Sequence, residues 1–517
     1  MKGAVAAGHP LTAEAGANVL ADGGNAVDAA IAAAFASWVA ESPLTGPGAG
    51  GFMLVHRAHE PSARVLDFFV TTPGLGAETH DRHEMDRVEV DFSGGSLQEF
   101  KIGAASCAVP GAVVGMEEAH RSFGTLPWRD LAAPAAELAR RGVELTRPQA
   151  YLHAILDVIL RHTDEGRRIY SRDGERLVAG DILRQPELAD TIDRIGAEGA
   201  AVLHGGELGR ALVEHVQAGR GEITMDDLAE FRVIRRRPVV VPYRGHVFAS
   251  NPPPSSGGVL IGYALRLLDE LDGNGGLGSA EAMAALADVM GEQARVRRET
   301  WWRELYRGGL ATRLASEETV RAGLERIRAG MPAVAEPPTP RGTTHISVVD
   351  ADGTAAALTV STGSGSGVIV PGTGLHVNNM LGEFDLPRPP RPGARLSSMM
   401  SPSVVLHGDR PRLVVGSAGS LRLRSAVLQV VVNVVGHGLG VEEALDRPRV
   451  HLEEEHLHCE GGNDPEELEK LEALGYDVVR WRRQNLYFGG AAAVEYRDDG
   501  TLAAAGDPRR GGHGIVV

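Results

Sequence analysis

The bond between Gly342 and Thr343 constrains this chain more than any other feature of its sequence. A flexible stretch, residues 329–337, leads into Pro338-Thr339-Pro340-Arg341-Gly342-Thr343-Thr344-His345. That run feeds the strand-like Ile346-Ser347-Val348-Val349-Asp350 and the turn Ala351-Asp352-Gly353. A Gly-Thr bond thus stands where a pliable loop enters a buried strand. A threonine hydroxyl is a weak nucleophile near neutral pH unless a base lies beside it. An N-terminal threonine carries its own base, because an α-amine titrates at about 7.7–8.0. In an intact chain that amine is an amide. Cleavage at Gly342-Thr343 would release it, and glycine at 342 is expected to let the loop bend for attack by the Thr343 hydroxyl on the Gly342 carbonyl. The product would be an ester and, after hydrolysis, two associated chains. Taken alone, Gly342 to His345 is described more simply as a threonine-rich start of a strand.

A length of 517 residues suggests two or three domains, or one large α/β unit. An apolar content of 43% and a charged content of 23% are those of a globular enzyme. The formal charge of −16 argues against a nucleic-acid partner, which needs a basic stripe. Two cysteines, Cys107 and Cys459, allow one bridge but no disulfide scaffold. No apolar signal segment is visible at the start. The Ala-rich run Ala26 to Ala40, interrupted by Asp28, Ser37 and Trp38, is too short and too weakly apolar for a membrane span. The expectation is a cytoplasmic protein with neither membrane nor nucleic-acid partners.

In chain order, His9 to Leu20 and Asn25 to Val39 read as helices broken by Gly23-Gly24, with Asn25 as a cap. Thr45-Gly46-Pro47-Gly48-Ala49-Gly50-Gly51 precedes the strand Phe52 to His56. A phosphate loop would follow a strand and open a helix, so close backbone packing near a site is the better reading. Val65 to Val70 is a strand, and residues 76–102 read as variable surface. Helices are expected up to Ala119, from Leu126 to Arg141, through much of 147–220, and after the cap Thr224. Two strands follow (Pro238 to Pro242 and His246 to Ala249), then helical blocks Val259 to Leu271 and Ser279 to Leu305. After Thr343 the chain turns strand-rich, with a helix from Leu421 to Val435.

Several motifs in this order carry a resemblance. They are Gly23-Gly24-Asn25-Ala26-Val27-Asp28-Ala29-Ala30, Gly48-Ala49-Gly50-Gly51-Phe52-Met53, Val109-Pro110-Gly111, Gly124-Thr125-Leu126-Pro127-Trp128 and Pro252-Pro253-Pro254-Ser255-Ser256-Gly257-Gly258. They continue with Gly342-Thr343-Thr344-His345, Pro371-Gly372-Thr373-Gly374, Asn378-Asn379-Met380, Leu396-Ser397-Ser398-Met399 and Asp507-Pro508-Arg509. The chain resembles, nearly end to end, the γ-glutamyltransferase family of N-terminal-nucleophile hydrolases. The resemblance implies an α+β fold, a four-layer αββα sandwich with two antiparallel-rich sheets between helical layers. It also implies a proenzyme cut into a large chain, 1–342, and a small catalytic chain, 343–517, which stay paired as αβ and allow an (αβ)2 assembly. It calls for a small-molecule substrate and for no metal or organic cofactor.

Residue by residue, the resemblance makes Thr343 the nucleophile and Ser361 its hydrogen-bonding partner, where the family has a second threonine. The loop Gly416-Ser417-Ala418-Gly419-Ser420 corresponds to the family's oxyanion loop, with Gly419 and Ser420 offering backbone amides. Ser397 and Ser398 correspond to a pair that holds the substrate's α-carboxylate. Other positions depart. The family's Asp-Phe-Arg-Glu is here Asp67-Phe68-Phe69-Val70, so Phe69 replaces the arginine that clamps a γ-glutamyl carboxylate. Met380 replaces a glutamine, Glu383 stands at an amine-binding aspartate, and an asparagine after Ser361 is absent. The implied reaction is cleavage of an amide-like acyl bond through a threonine acyl-enzyme, on a substrate other than a plain γ-glutamyl peptide. Two alternatives stand beside it. One is hydrolysis of a C–C bond next to a carbonyl, as in relatives from 4-alkylproline antibiotic-precursor pathways. The other is an unprocessed, non-catalytic binding homologue.

The remaining clusters read as structural. His451, Glu453, Glu454, Glu455, His456, His458 and Cys459 fall on both faces of a strand and suit a polar surface better than a metal. His345 is expected to be a satisfied core histidine, Trp301-Trp302 to be packing, and Arg235-Arg236-Arg237 to be a solvated face.

Overall fold

The computed structural model describes residues 2–77, 83–91, 97–271, 275–297, 301–331, 342–382, 390–419 and 422–517. Two antiparallel sheets form its centre, and their strands are numbered β1 to β13 in chain order. The seven-stranded sheet contains β1 (Gly3–Ala7), β2 (Gly50–His56), β3 (Arg64–Phe68), β4 (Ile234–Arg236), β7 (Thr344–Asp350), β8 (Ala355–Ser361) and β13 (His513–Val516). Its spatial order is β4-β3-β2-β8-β7-β1-β13. The six-stranded sheet contains β5 (Val239–Tyr243), β6 (His246–Ser250), β9 (Ser403–His407), β10 (Arg410–Ala418), β11 (Gly490–Tyr496) and β12 (Leu502–Gly506), in that spatial order.

The pattern of apolar residues accounts for the layering. In a strand, alternate side chains point to opposite faces. In β7, Ile346 and Val348 join the core beneath the helices α1 (Pro10–Ala21), α2 (Ala26–Ala40), α3 (Ala112–Phe123) and α4 (Trp128–Arg141). Val349 joins a second core, shared with Phe52, Phe69, Val404, Val414 and Val494, that lies between the sheets. A third core sits outside the six-stranded sheet under α5 (Gly257–Glu270), α6 (Ala280–Val296) and α7 (Arg422–Val431). Both faces of each sheet are therefore covered, giving the expected αββα sandwich. Every residue of α2 is buried, which explains its small, alanine-rich composition. Asn25 caps α2 by accepting from the amides of Val27 and Asp28, and Asp28 accepts from the Asn25 amide, a capping box that stabilises by about 1 kcal/mol.

Four expectations need correction. Gly3–Ala7, not anticipated as a strand, is a fully buried one between β7 and β13. Its run of small residues carries no polar-apolar alternation because both faces are covered. Within 76–102, Asp86–Asp91 pairs with Leu97–Ile102, and Val90, Phe100 and Ile102 are buried, so the segment is not simply surface. Arg235 and Arg237 are exposed as expected, but Arg236 is partly buried and its Nε donates to the buried Asp67 carboxylate at 2.7 Å. The helix expected to reach Val435 is α-helical only as far as Val431 and then widens through Val432–Gly436. Cys107 and Cys459 are both free and buried. Among the described residues no helix is long and apolar enough to cross a membrane.

Candidate active site

The register of β7 and β8 builds the site. Thr344 pairs with Val360, so one step further Thr343 meets Ser361. Alternation then sends Thr343, His345 and Ser347 toward the second sheet and Thr344 toward the helices. Each goes where this predicts. Ser347 Oγ donates to Ala492 O of β11 at 3.0 Å, whereas Thr344 Oγ1 donates to Glu41, the residue that ends α2, at 2.6 Å.

Thr343 is 2% exposed. Its Oγ1 donates to Ser361 Oγ at 3.3 Å, and Ser361 Oγ donates in turn to the carbonyl oxygen of Gly342. Ser361 also accepts from the Gly363 amide at 2.9 Å, so its single proton is committed to the Gly342 carbonyl. Gly342 itself donates to Gly363 O at 2.9 Å. Its glycine identity follows from space rather than from a bend. A Cβ there would lie 2.5 Å from Gly363 O and 2.8 Å from a Leu44 methyl, and its φ is not in the left-handed region. This corrects the expectation that Gly342 supplies flexibility. It permits close approach.

On the other side, Arg510 Nη1 donates to Thr343 O at 3.1 Å. Arg510 faces Glu41, whose carboxylate accepts from Thr12 at 2.8 Å and from Thr344. Burial pushes the Glu41 carboxyl up, opposed by the Thr344 and Thr12 bonds and by Arg510. Burial likewise pushes the Arg510 guanidinium down to about 10. Arg510 and Glu41 thus brace the backbone and side chain just C-terminal to the Gly342–Thr343 bond. Neither was singled out from sequence. The available signal was that an acid closing an alanine-rich helix opposes the helix dipole, a placement that favours a specific partner.

His345 is buried and satisfied. The Ser347 proton is spent on Ala492 O, so Ser347 accepts from His345 Nε2–H at 2.9 Å, and Nδ1 accepts from Thr359 Oγ1 at 2.7 Å. Burial pushes its pKa down to about 3, so the ring is neutral and structural. It packs against Gly416, the first residue of the loop expected to form the oxyanion hole, where a Cβ would fall 2.3 Å from the imidazole. Gly419 has φ +123°, a conformation suited to glycine, and lies against Gly489. Ser420 and Glu383 lie outside the described residues.

Of the expected specificity residues, Phe69 and Met380 occupy one neighbourhood. Phe69 stacks on Phe52 with ring centroids 5.4 Å apart, and Phe69 and Met380 belong to the same core between the sheets, each 2% exposed. The nearby cation Arg395 is already engaged. It pairs with the Asp67 carboxylate at 3.0 Å and donates to Asp67 O and Arg232 O. Asn378 holds the segment before Met380 by bonds to Gly48 O, Ala108 O and the Ala108 and Met380 amides. Ser398 Oγ accepts from the Met400 amide at 3.0 Å, while the buried Ser397 hydroxyl has no hydrogen-bond partner among the described residues. Elsewhere, His456 contacts Asp477 and His458 accepts from Trp481, so the histidine-rich strand is engaged in local contacts. Trp301 packs in the outer core.

The model of the gamma-glutamyltranspeptidase family matches residues 12–517. The chain is 33% identical over 540 residues to acylase ACY 1 proenzyme from Pseudomonas sp. (strain V22), covering 100% of this chain and 94% of the relative. It is 31% identical over 539 residues to glutathione hydrolase proenzyme from Escherichia coli (strain K12), covering 98% of this chain and 90% of that one. A solved cephalosporin acylase from Bacillus halodurans superposes with a TM-score of 0.85 at 25% identity, over 99% of this chain and 95% of that one.

Proposed function

Because the chain belongs to the γ-glutamyltranspeptidase family and is a hydrolase or transferase of N-terminal-nucleophile type, we propose that it cuts itself between Gly342 and Thr343 and then uses Thr343 to cleave an amide-like acyl bond. The observation that carries this reading is the chain of hydroxyls from Thr343 through Ser361 to the Gly342 carbonyl. In the uncut chain, Thr343 Oγ attacks Gly342 C and gives up its proton. Ser361 donates to the oxygen on which negative charge develops. Collapse breaks the C–N bond, and the Thr343 nitrogen leaves as an amine after taking up a proton, which leaves an ester on Thr343 Oγ. Water cleaves the ester and yields chains 1–342 and 343–517, consistent with the proenzyme names of the relatives.

In the cut protein the free α-amine accepts the proton of Thr343 Oγ during attack on a substrate carbonyl. This reading assigns stabilisation of the resulting oxyanion to the Gly419 and Ser420 amides, and water or an amine resolves the acyl-enzyme. The substrate we infer is an acylated small molecule other than a plain γ-glutamyl peptide. Support comes from Phe69 stacked in the core and from Arg395 already paired with Asp67, so neither position offers a free guanidinium to an α-carboxylate. The names of the two acylases among the relatives point the same way.

Intact-mass analysis tests the first part. The purified wild type should give two chains and Thr343→Ala one. A single uncut wild-type chain would instead favour the non-catalytic homologue. For the second part, γ-glutamyl-p-nitroanilide should turn over far more slowly than a side-chain-acylated cephalosporin. Robust γ-glutamyl turnover would overturn the pocket argument.

A further inference from the structure

We propose that a cavity at the far end of α7 binds a small phosphate-type oxyanion between the segments that become the two chains. The cavity measures about 50 Å³, and Arg244, His437 and Arg447 converge on it from three separate places. Arg244 occupies the turn between β5 and β6 and donates from Nη1 to Gly436 O at 2.9 Å. His437 follows the widened turn Val432–Gly436. Arg447 follows the short helix Val441–Asp446, and its guanidinium lies over Gly278, where a Cβ would be 2.6 Å from Nη2.

Charge is the telling feature. The chain has 68 acidic and 52 basic side chains, and several other arginines on this half of the molecule are paired, Arg266 with Glu317, Arg412 with Glu495 and Arg497 with Glu442. Among the described residues neither Arg244 nor Arg447 has a carboxylate within ion-pair distance. Both arginines, after burial, help to lower the pKa of His437, and among the described residues no carboxylate lines the cavity, while the neutral imidazole keeps one N–H to donate. Leu268, Leu286 and Val432 form apolar walls that thin the water around those donors and strengthen their pull on an anion. Two guanidinium forks and an imidazole N–H, arranged around a space of this size, suit a tetrahedral dianion.

Arg244 and Gly278 belong to 1–342, whereas His437 and Arg447 belong to 343–517, so a bound ion would tie the two chains together after cleavage. It would also steady α7, which begins three residues beyond Gly419. Binding does not depend on Thr343 being the nucleophile and is measured apart from activity.

Calorimetric titration of the purified protein at low ionic strength tests the site, with inorganic phosphate in one arm, glycerol 3-phosphate in a second and chloride as control. The expected result is saturable one-site binding of phosphate and a rise in Tm when it is bound. Tighter binding of the ester would identify a phosphorylated metabolite as the source, and equal binding would identify the free ion. Arg447→Met and Arg244→Met should each weaken binding about tenfold or more. Without phosphate, Arg447→Met should melt at or above the wild-type temperature, because it removes a cation that has no carboxylate partner among the described residues. Absence of saturable binding by either phosphate compound, or undiminished affinity in the double variant, would overturn the proposal.

Discussion

Replacing Ser361 with alanine tests the reading of the cut site most directly. The serine hydroxyl makes three contacts. It accepts from Thr343 Oγ1 at 3.3 Å and from the Gly363 amide at 2.9 Å, and it donates to Gly342 O. The first is long and contributes little. Losing the second leaves a buried N–H without its partner, which costs about 1–3 kcal/mol of stability. The third is aimed at the oxygen that becomes negative during cleavage. A single donor in that role is worth about 2.7–4 kcal/mol, or about 10²–10³ in rate. Ser361→Ala should therefore fold with a lowered Tm and self-cleave about 10²–10³ times more slowly. Ser361→Thr, which keeps the hydroxyl and adds one methyl, should cleave at close to the wild-type rate. Freshly purified protein incubated at fixed pH and followed by intact mass gives both rates, and Tm separates slow chemistry from misfolding. Cleavage of folded Ser361→Ala within about threefold of wild type would refute the role assigned to Ser361.

Glu41→Gln keeps the shape of the brace but removes the charge that faces Arg510 and accepts from Thr344. Tm should fall and cleavage should slow, whereas an unchanged cleavage rate would remove the brace from the mechanism. Phe69→Arg places a cation in the core between the sheets, where Asp67 is already paired with Arg395 and Arg236. It should lower Tm by many degrees and confer no γ-glutamyl-p-nitroanilide turnover, and a stable variant that gained turnover would show that this position opens onto the substrate site. Burial holds His9, His153, His204, His376 and His458 at about 4 and His345 at about 3, below the unfolded value of 6.5. The unfolded chain therefore binds more protons between pH 4 and 6.5, so stability is full above about 6.5 and is lost as pH falls through that window. Thermal melts from pH 8 to 4 should show Tm falling mainly below pH 6.5, and a flat profile would contradict the burial of these rings.

Much of this architecture was legible in the chain because it is written locally. Helix caps at Asn25 and Thr224, strands of apolar residues after Thr343, and the glycine-rich run before β2 depend on neighbours in sequence. The order of the motifs carried the family and the αββα arrangement, which the two covered sheets bear out. Gly3–Ala7 escaped notice because a central strand buried on both faces loses the alternation that marks a strand. Arg236 was misjudged because a run of charges says nothing about a buried aspartate 169 positions away.

The sequence by itself determined the candidate cut site, the serine proposed to act beside it and the absence of the family's arginine at position 69, since each is a matter of residue type at a place in a motif. Only the tertiary structure decided what those residues do. Register across β7 and β8 brings Ser361 onto the Gly342 carbonyl, and alternation sends Thr344 to Glu41. Folding carries Arg510, far along the chain, to Thr343. Hydrogen bonds act over about 3 Å, and which groups come that close depends on how distant segments pack, which no local pattern encodes.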